Sequence, residues 1–306
     1  MTPRPEQSEG DGGVAAPLED SGRGVTGSPL VACVVEDGHV HPMRTTICTL
    51  AISLVLTPAT PAQQTGDAKS LREQAERVIA AKPDDPAGYV LRGQSYVRER
   101  NAEKALADFT KALDLKPDVP TVLSLRGGEL FKLGRFAESI ADFDKQIALD
   151  PKSAEDHWRR GIALYYAGRY ADGAKQFELG KRVYGNDVEN AFWHYLCLAR
   201  VDGPAKARTK LLPIGSDARY YMPKVFDLIA GKAKPEDVLA AVEASPVRDK
   251  TEGRFYAHLY VGLNYEAEGD AAKSLDHMKT AVERYVIGHY MWDVAKAHVA
   301  ARTAKK

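Results

Sequence analysis

The stretch "HWRRGIALYYAGRYADGAKQF", residues 157–177, places a tryptophan, three tyrosines and four Arg or Lys residues around two small-residue interruptions. Side chains of these types can stack nucleic-acid bases, clamp an anionic ligand or build a helical hairpin. The choice depends on whether the pattern occurs once or recurs, because a structural repeat recurs at a fixed period.

The pattern recurs at one fixed spacing, which Gly93, Gly127 and Gly161 define. An arginine directly precedes each glycine, and a phenylalanine follows each glycine at a constant separation. These residues are Arg92, Arg126 and Arg160, and Phe109, Phe143 and Phe177. Pro117 and Pro151 close the first two units, where a second helix must stop because proline cannot continue it.

The length and residue order of this unit resemble the tetratricopeptide repeat, a hairpin of two antiparallel helices. Glycine in the first helix allows close approach of the second helix, and the phenylalanine fills the space between them. Each hairpin leaves an apolar face that only a neighbouring hairpin can bury, so the hairpins stack into a solenoid. The predicted fold is an all-α solenoid with a degenerate helical middle and a C-terminal capping helix.

Outside the three clear units the repeat weakens, and it returns near the C-terminus. No segment shows the alternation that is typical of strands. The predicted segments are an N-terminal capping helix at 68–84, three repeat units at 85–187, a degenerate repeat with connecting helices at 188–250, a further unit at 253–288 and a C-terminal capping helix at 289–306.

The N-terminal region is typical of a targeting segment. Arg44 precedes an apolar run of about ten residues, too short to span a bilayer, and small residues follow it. We therefore predict a signal peptide at 43–62 and an exported, periplasmic or cell-envelope protein; the alternative is a buried core helix. Residues 1–42 are interpreted as a disordered extension or a mis-called start before Met43.

Composition excludes some classes of partner and site. The 306 residues include 42 basic and 42 acidic side chains, so no general nucleic-acid binder is indicated. The three cysteines, Cys33, Cys48 and Cys197, offer neither a metal-binding pair nor a disulfide framework. Cys48 lies inside the apolar run rather than just after it, which argues against a lipid anchor.

The inner face of the solenoid is the predicted partner-binding site. On each first helix, one stripe at i, i+3, i+7, i+10 and i+11 faces inward. The predicted partner-binding residues are Gln94, Arg98, Phe131, Lys132, Trp158, Tyr165, Tyr166, Phe192 and Arg200. This aromatic floor with a basic rim suits a peptide with apolar anchors and some negative charge. The open alternative is that residues 204–250 or a second copy of the chain cover part of the stripe.

Sequence motifs for chemistry are missing. No histidine pair has the zincin spacing, and no nucleophile elbow or phosphate-binding loop is present. We therefore predict no catalytic residue, no metal site and no cofactor. The arginine column Arg92, Arg126 and Arg160 is interpreted as packing between hairpins rather than as an anion ladder, because it recurs at one repeat position.

The order of units also resembles a known family. "RRGIALYYAGR" (159–169), "FWHYLCLAR" (192–200), a helical region and "FYAHLYVGLNYEAEGDAAKSLDHMKTAV" (255–282) follow one another as in the bacterial NlpI-like tetratricopeptide lipoproteins. The resemblance implies a dimeric, all-helical periplasmic adaptor that scaffolds cell-wall hydrolases and a processing protease. It supports the architecture better than the partner, because the shared positions are mostly structural.

Three functions follow as hypotheses. The leading one is a non-catalytic, exported scaffold that binds proteins in the bacterial cell envelope through the inner groove. The second is a hydrolase or metal-dependent enzyme with a site in residues 204–250. The third is a cytosolic chaperone-type adaptor that grips a terminal carboxylate, but Val90, Gln94 and Ser124 stand where that clamp needs Lys and Asn.

Overall fold

The structure is a computed structural model that describes residues 61–304. The predictions for 1–42, and for 43–60 of the signal peptide, lie outside the described residues. The described chain forms α1 (Pro61–Ala81), α2 (Pro86–Arg98), α3 (Ala102–Leu115), α4 (Pro120–Lys132), α5 (Phe136–Leu149), a 3-10 helix (Pro151–Asp156), α6 (Trp158–Tyr166), α7 (Tyr170–Gly180), α8 (Val188–Asp202), α9 (Pro204–Arg208), α10 (Met222–Ile229), α11 (Pro235–Glu243), α12 (Thr251–Ala267), α13 (Ala271–Arg284) and α14 (Tyr290–Thr303). The all-α prediction is confirmed.

Helix ends follow from local sequence. The Asp85 side chain accepts a hydrogen bond from the Ala87 amide at the start of α2, and the Asn101 side chain caps α3 in the same way. Gly134 and Gly168 follow α4 and α6 with φ of +74° and +77°, a conformation that favours glycine. The chain therefore reverses within a few residues, and the two helices of a hairpin lie side by side.

The fixed spacing of the repeat has a steric cause. Each repeat glycine lies directly against the ring of the phenylalanine of its own unit: Gly93 against Phe109, Gly127 against Phe143 and Gly161 against Phe177. A Cβ atom built on Gly161 would lie 2.5 Å from the ring of Phe177. Glycine is therefore required for the two helices to approach this closely.

The arginine column ties the helices of each hairpin together. Arg92 and Arg126 each donate two hydrogen bonds to one carboxylate of the same hairpin, on Asp108 and Asp142. The hydrogen bonds of these two arginines thus lie within their own hairpin, while a carboxylate of the preceding helices lies near each of them, Glu76 near Arg92 and Asp114 near Arg126. Arg160 donates hydrogen bonds both within and between hairpins. Its partners are Gln176 of its own hairpin and Asp144 of the preceding one.

The middle of the chain departs from the repeat. The helix α8 occupies the position of a first helix, but α9, which follows it, has only five residues. Tyr195 stands where the repeat glycine is expected, and its side chain is fully buried. The short helices α10 and α11 then pack on α8 and α12, and α12 and α13 form another full hairpin. Along the described part of the chain, no helix combines the length and apolarity that crossing a bilayer demands.

Candidate protein-binding groove

The inner groove, defined here as the inward face of α2, α4, α6 and α8, carries the aromatic side chains that the sequence predicted for it. Phe131 on α4 packs edge-on against Tyr166 on α6, with ring centroids 5.6 Å apart. Tyr165 packs against Trp193 of α8 at 5.6 Å. These contacts join three neighbouring first helices into one aromatic layer.

The C-terminal helix α14 lies in this groove. Its first residue, Tyr290, places its ring 5.7 Å from Phe131 and 5.4 Å from Trp158. A Cβ atom built on Gly128 would lie 3.8 Å from the Tyr290 ring, so the glycine leaves room for it. The other side of α14 packs on α13. The predicted capping helix therefore also fills the groove over the second and third hairpins.

Polar contacts hold α14 in register. The Tyr166 hydroxyl lies 3.1 Å from Nδ1 of His298, and Nζ of Lys132 lies 3.7 Å from the Asp293 carboxylate. Nζ of Lys132 also bonds Glu129 of its own helix at 2.7 Å. These partners satisfy polar groups that α14 would otherwise bury without a bond.

Glu266 at the end of α12 is the main anchor of α14. Its carboxylate bonds Arg302 of α14, and it lies 3.3 Å from Nδ1 of His298 and 3.5 Å from Arg200 of α8. The carboxylate is only 6% exposed, so these charges are weakly screened. Burial outweighs the attraction to Glu266 and lowers the pKa of His298 to about 4, so this imidazole is neutral near pH 7.

A serine, a histidine and a glutamate here have the connectivity of a catalytic triad, but all three side chains are buried. Nε2 of His298 lies 3.4 Å from Ser274 Oγ. Nδ1 of His298 lies 3.1 Å from the Tyr166 hydroxyl and 3.3 Å from the Glu266 carboxylate, so these contacts allow either neutral tautomer of the ring. Ser274 is also only 2% exposed, so a substrate has no access to it.

The structure places the nine predicted partner-binding residues in three environments. Phe131, Tyr165 and Phe192 are buried by the chain itself, so their predicted contact with a partner is wrong for this conformation. The physical reason differs for each ring. Tyr290 of α14 covers Phe131, the rings of Tyr166, Tyr170 and Trp193 surround Tyr165, and Tyr260 of α12 packs 4.7 Å from Phe192.

Four of the other predicted residues are partly occupied by intramolecular contacts. Trp158, Tyr166 and Lys132 contact α14 and are half-buried. Arg200 is exposed, but its guanidinium lies 5.0 Å from the ring of Tyr170 and pairs with Glu266. These four side chains thus hold the protein's own helices.

The inner face of the first hairpin remains accessible. Gln94 is half-buried and Arg98 is exposed, as is Ala87 near the start of the same stripe. The boundary with α14 lies at Arg100, which stacks 4.2 Å above the Trp292 ring and donates to the Ile287 carbonyl oxygen over 2.8 Å. We call this accessible strip the first-hairpin face.

Sequence reasoning missed the residues of α14 that enter the groove. Tyr290, Trp292 and His298 come from a segment whose sequence, "IGHYMWDVAKAHVAART", is richer in aromatic and apolar residues than a one-sided cap requires. Trp292 is 9% exposed and His298 1%, so both sides of the helix are covered. Apolar residues on more than one side of a helix indicate burial on more than one side, and that signal was present in the sequence.

The irregular segment, predicted as the alternative enzyme site, holds an ion cluster. Arg219 bonds Asp187, Glu189 and Asp217, and the Tyr260 hydroxyl also bonds Glu189. Burial and the neighbouring Glu189 raise the pKa of Asp187 to about 6. The guanidinium offsets the carboxylate charges and fastens the loop before α10 to α8. Among the described residues, no three His, Cys, Asp or Glu side chains are grouped to hold a metal ion.

Stacked helical hairpins with a groove on their inner side define a helical-repeat scaffold. A family model described as the tetratricopeptide repeat matches residues 64–120 and 125–182. These two stretches therefore carry tetratricopeptide repeats, as the fixed spacing of the glycines predicted. No curated protein sequence matches it.

Several solved structures of repeat proteins are similar to the chain. A tetratricopeptide repeat protein from Parabacteroides merdae is 17% identical, with a TM-score of 0.48 over 78% of this chain and 93% of that one. YrrB, described as a repeat protein with an unusual peptide-binding site, is 17% identical, with a TM-score of 0.41 over 74% and 99%. The C-terminal part of a repeat protein from Cytophaga hutchinsonii is 15% identical, with a TM-score of 0.46 over 77% and 99%.

Proposed function

We propose that the chain is a non-catalytic, exported scaffold that binds a partner protein of the bacterial cell envelope on its first-hairpin face. Solenoid proteins commonly bind partners along the inner face of their stacked hairpins. In this chain α14 already fills the groove over the second and third hairpins. The first-hairpin face is the part of the predicted stripe that is left for a partner.

One observation carries the proposal: the solvent exposure of the inward-facing side chains differs between the first hairpin and the second. Phe131, at 0% exposure, is part of the core, whereas Gln94 and Arg98 are reached by solvent on the same inward side. Val90 and Val97 lie half-buried beside them and provide apolar surface. A peptide with one or two apolar anchors and an acidic group matches this surface.

The setting and the class of partner are proposed from sequence. The signal-peptide pattern at 43–62 supports export, and the resemblance to NlpI-like lipoproteins supports a periplasmic adaptor. By the same resemblance, the proposed partners are cell-wall hydrolases or a processing protease, and a homodimer is a further proposed assembly. Nucleic acid is not proposed as a partner, because the charge of the chain is balanced.

A photo-crosslinking experiment on the full-length protein tests the proposed face. A photo-reactive amino acid is placed at Gln94 on the first-hairpin face or at Arg77, which is exposed on α1. Position 94 should capture an envelope protein, and Arg98→Glu should abolish that product. The matched change Arg77→Glu should leave it intact. Equal capture from both positions would show that the first-hairpin face is not the binding site.

The proposed localisation has its own test. Cells that express the full-length chain are fractionated, and the N-terminus of the purified protein is sequenced. Export with cleavage should yield a protein that begins near Gln63 in the periplasmic or envelope fraction. A protein that keeps Met1 and stays in the cytosol would favour the cytosolic adaptor instead.

A further inference from the structure

Two histidines face each other on the hairpin of α12 and α13. His258 lies on α12 and His277 on α13, and their Nδ1 atoms are 3.1 Å apart. Both rings are half-buried, so solvent reaches them. Two neutral imidazoles at this distance share one proton between two nitrogen lone pairs. A metal ion can take the place of that proton.

The separation of the two nitrogens fits a shared metal ion. With metal–nitrogen bonds of about 2.05 Å, the 3.1 Å separation corresponds to a nitrogen–metal–nitrogen angle of about 98°. That angle lies between the right angle of a square-planar or octahedral site and the tetrahedral angle. We propose that His258 and His277 together bind one divalent transition-metal ion, with water completing the coordination.

The charges around the pair allow a cation. Asp276, next to His277 in sequence, and Glu236 of α11 lie close enough to attract positive charge at His277. Arg284 lies near His258 and opposes it. The aromatic rings of Tyr265 and Tyr285 pack 5.5 Å and 5.6 Å from the two imidazoles and restrict their rotation. Lys273, whose Nζ lies 5.1 Å over the Tyr265 ring, is a second cation nearby, so two carboxylates face two basic side chains.

The protonation state favours binding. Burial and the neighbouring imidazole of His277 lower the pKa of His258 to about 4, and burial lowers the pKa of His277 as well. Both rings are thus neutral near pH 7. A metal ion then competes only with the shared proton and not with two imidazolium charges.

The ligand set predicts which ions bind. Imidazole nitrogens bind Cu²⁺ more tightly than Ni²⁺ or Zn²⁺, while Mg²⁺ prefers oxygen ligands. Because the described residues offer no third ligand grouped with the pair, the affinity should be below that of a structural zinc site. We therefore expect binding of Cu²⁺, weaker binding of Zn²⁺ and no binding of Mg²⁺.

Thermal unfolding of the full-length protein distinguishes metal binding at His258 and His277 from metal binding at other histidines. His258 and His277 meet only in the folded chain, so their metal ion stabilises the folded state. Cu²⁺ at about 100 times Kd should raise Tm by roughly 5 °C or more. His39 and His41 are two positions apart in sequence and can bind copper in the unfolded chain too, so they do not raise Tm in the same way.

Substitutions then decide the outcome. His258→Gln and His277→Gln should each abolish the Cu²⁺-dependent rise in Tm and weaken one calorimetric binding step by at least about tenfold. The control variant His194→Gln changes a histidine of α8 that lies near Glu178 of α7. It should keep both the rise in Tm and the calorimetric binding step. Far-ultraviolet circular dichroism verifies that each variant is folded. An unchanged Cu²⁺ response in both glutamine variants, or the absence of a response in the wild type, would overturn the proposal.

Discussion

The Tyr166 hydroxyl and Nδ1 of His298 share a hydrogen bond of 3.1 Å, although the two residues are 132 positions apart in sequence. The bond joins α6 of the third repeat to α14 at the C-terminus. It therefore closes the solenoid on itself. The groove that partner proteins would occupy in an open solenoid becomes the core of this chain.

Removal of that bond should be measurable. Tyr166→Phe deletes only the hydroxyl, and we expect a loss of about 1 kcal/mol in the free energy of unfolding. Without the hydroxyl, the Glu266 carboxylate at 3.3 Å is left as the partner of Nδ1, so the pKa of His298 should rise from about 4. Urea denaturation and an NMR titration of the His298 ring measure the two effects.

The neighbouring tyrosine provides a matched control. The Tyr165 hydroxyl is buried and has no hydrogen-bond partner among the described residues. Tyr165→Phe should therefore leave stability unchanged or raise it, because it removes an unsatisfied polar group. If Tyr165→Phe destabilises the protein as much as Tyr166→Phe does, the bond to His298 is not what holds α14.

The packing of α14 in the groove predicts that shortening its Tyr290 side chain destabilises the protein. Tyr290→Ala removes the ring that packs between Phe131 and Trp158, and it should cost about 3 kcal/mol of stability. The exposed aromatic groove should then bind the dye 8-anilinonaphthalene-1-sulfonate. Dye fluorescence and urea denaturation provide the measurements, and an unchanged unfolding midpoint would contradict this placement of the helix.

Two adjacent glycines should respond to alanine in opposite directions. A Cβ atom at Gly127 would lie 2.6 Å from the Phe143 ring, so Gly127→Ala should destabilise the protein by about 2 kcal/mol. A Cβ atom at Gly128 meets only Tyr290, at 3.8 Å. Gly128→Ala should stabilise α4 by about 0.5 kcal/mol, since alanine has the higher helix propensity.

Thermal denaturation of the two variants tests this difference. Because the two positions share one helix and one substitution, helix propensity alone cannot produce opposite signs. If both variants gain stability, the close approach of α4 and α5 at Phe143 is wrong.

The same residues show what the sequence could predict. The contact of Gly161 with Phe177 recurs in every clear unit at the same separation, so the periodicity of the sequence alone reveals it. The contact of Tyr290 with Trp158 occurs once and joins distant segments, so no period records it. The stripe that contains Phe131, Trp158 and Tyr166 follows from helical periodicity in the sequence. What fills it depends on tertiary packing.

The paired side chains Arg126 and Asp142 offer a test of the arginine column. The two hydrogen bonds are both 2.7 Å long, and the carboxylate is 8% exposed. Arg126→Met should destabilise the protein by about 2 kcal/mol, because it leaves a buried charge without its partner. The double variant Arg126→Met, Asp142→Leu should recover most of that loss.

A double-mutant cycle in urea measures the coupling of this pair. The exposed pair of Arg135 with Glu138 is the control, and Arg135→Met should have no measurable effect. Additive effects of the two substitutions at 126 and 142 would show that the column does not tie the hairpin together.

Buried histidines should make the protein less stable in mild acid. Burial lowers the pKa of His157 to about 3 and that of His298 to about 4, whereas a histidine in the unfolded chain has a pKa of about 6.5. Between pH 6.5 and pH 4 the unfolded state therefore binds more protons, and stability falls as the pH falls. Each of the two contributes up to about 1.4 kcal/mol per pH unit.

Two carboxylates act in the opposite direction. The pKa of Asp187 is raised to about 6 and burial also raises that of Glu129, so protonation of the folded state at these groups favours folding as the pH falls. The pKa values of His194, His258 and His277 are lowered as well, so five histidines oppose two carboxylates and the net effect is a loss of stability. Urea denaturation at pH 7 and pH 5 should show it, and His157→Asn or His298→Gln should each reduce the slope by about one proton. Stability that is equal at the two pH values in the wild type would mean that these imidazoles are already charged in the folded protein.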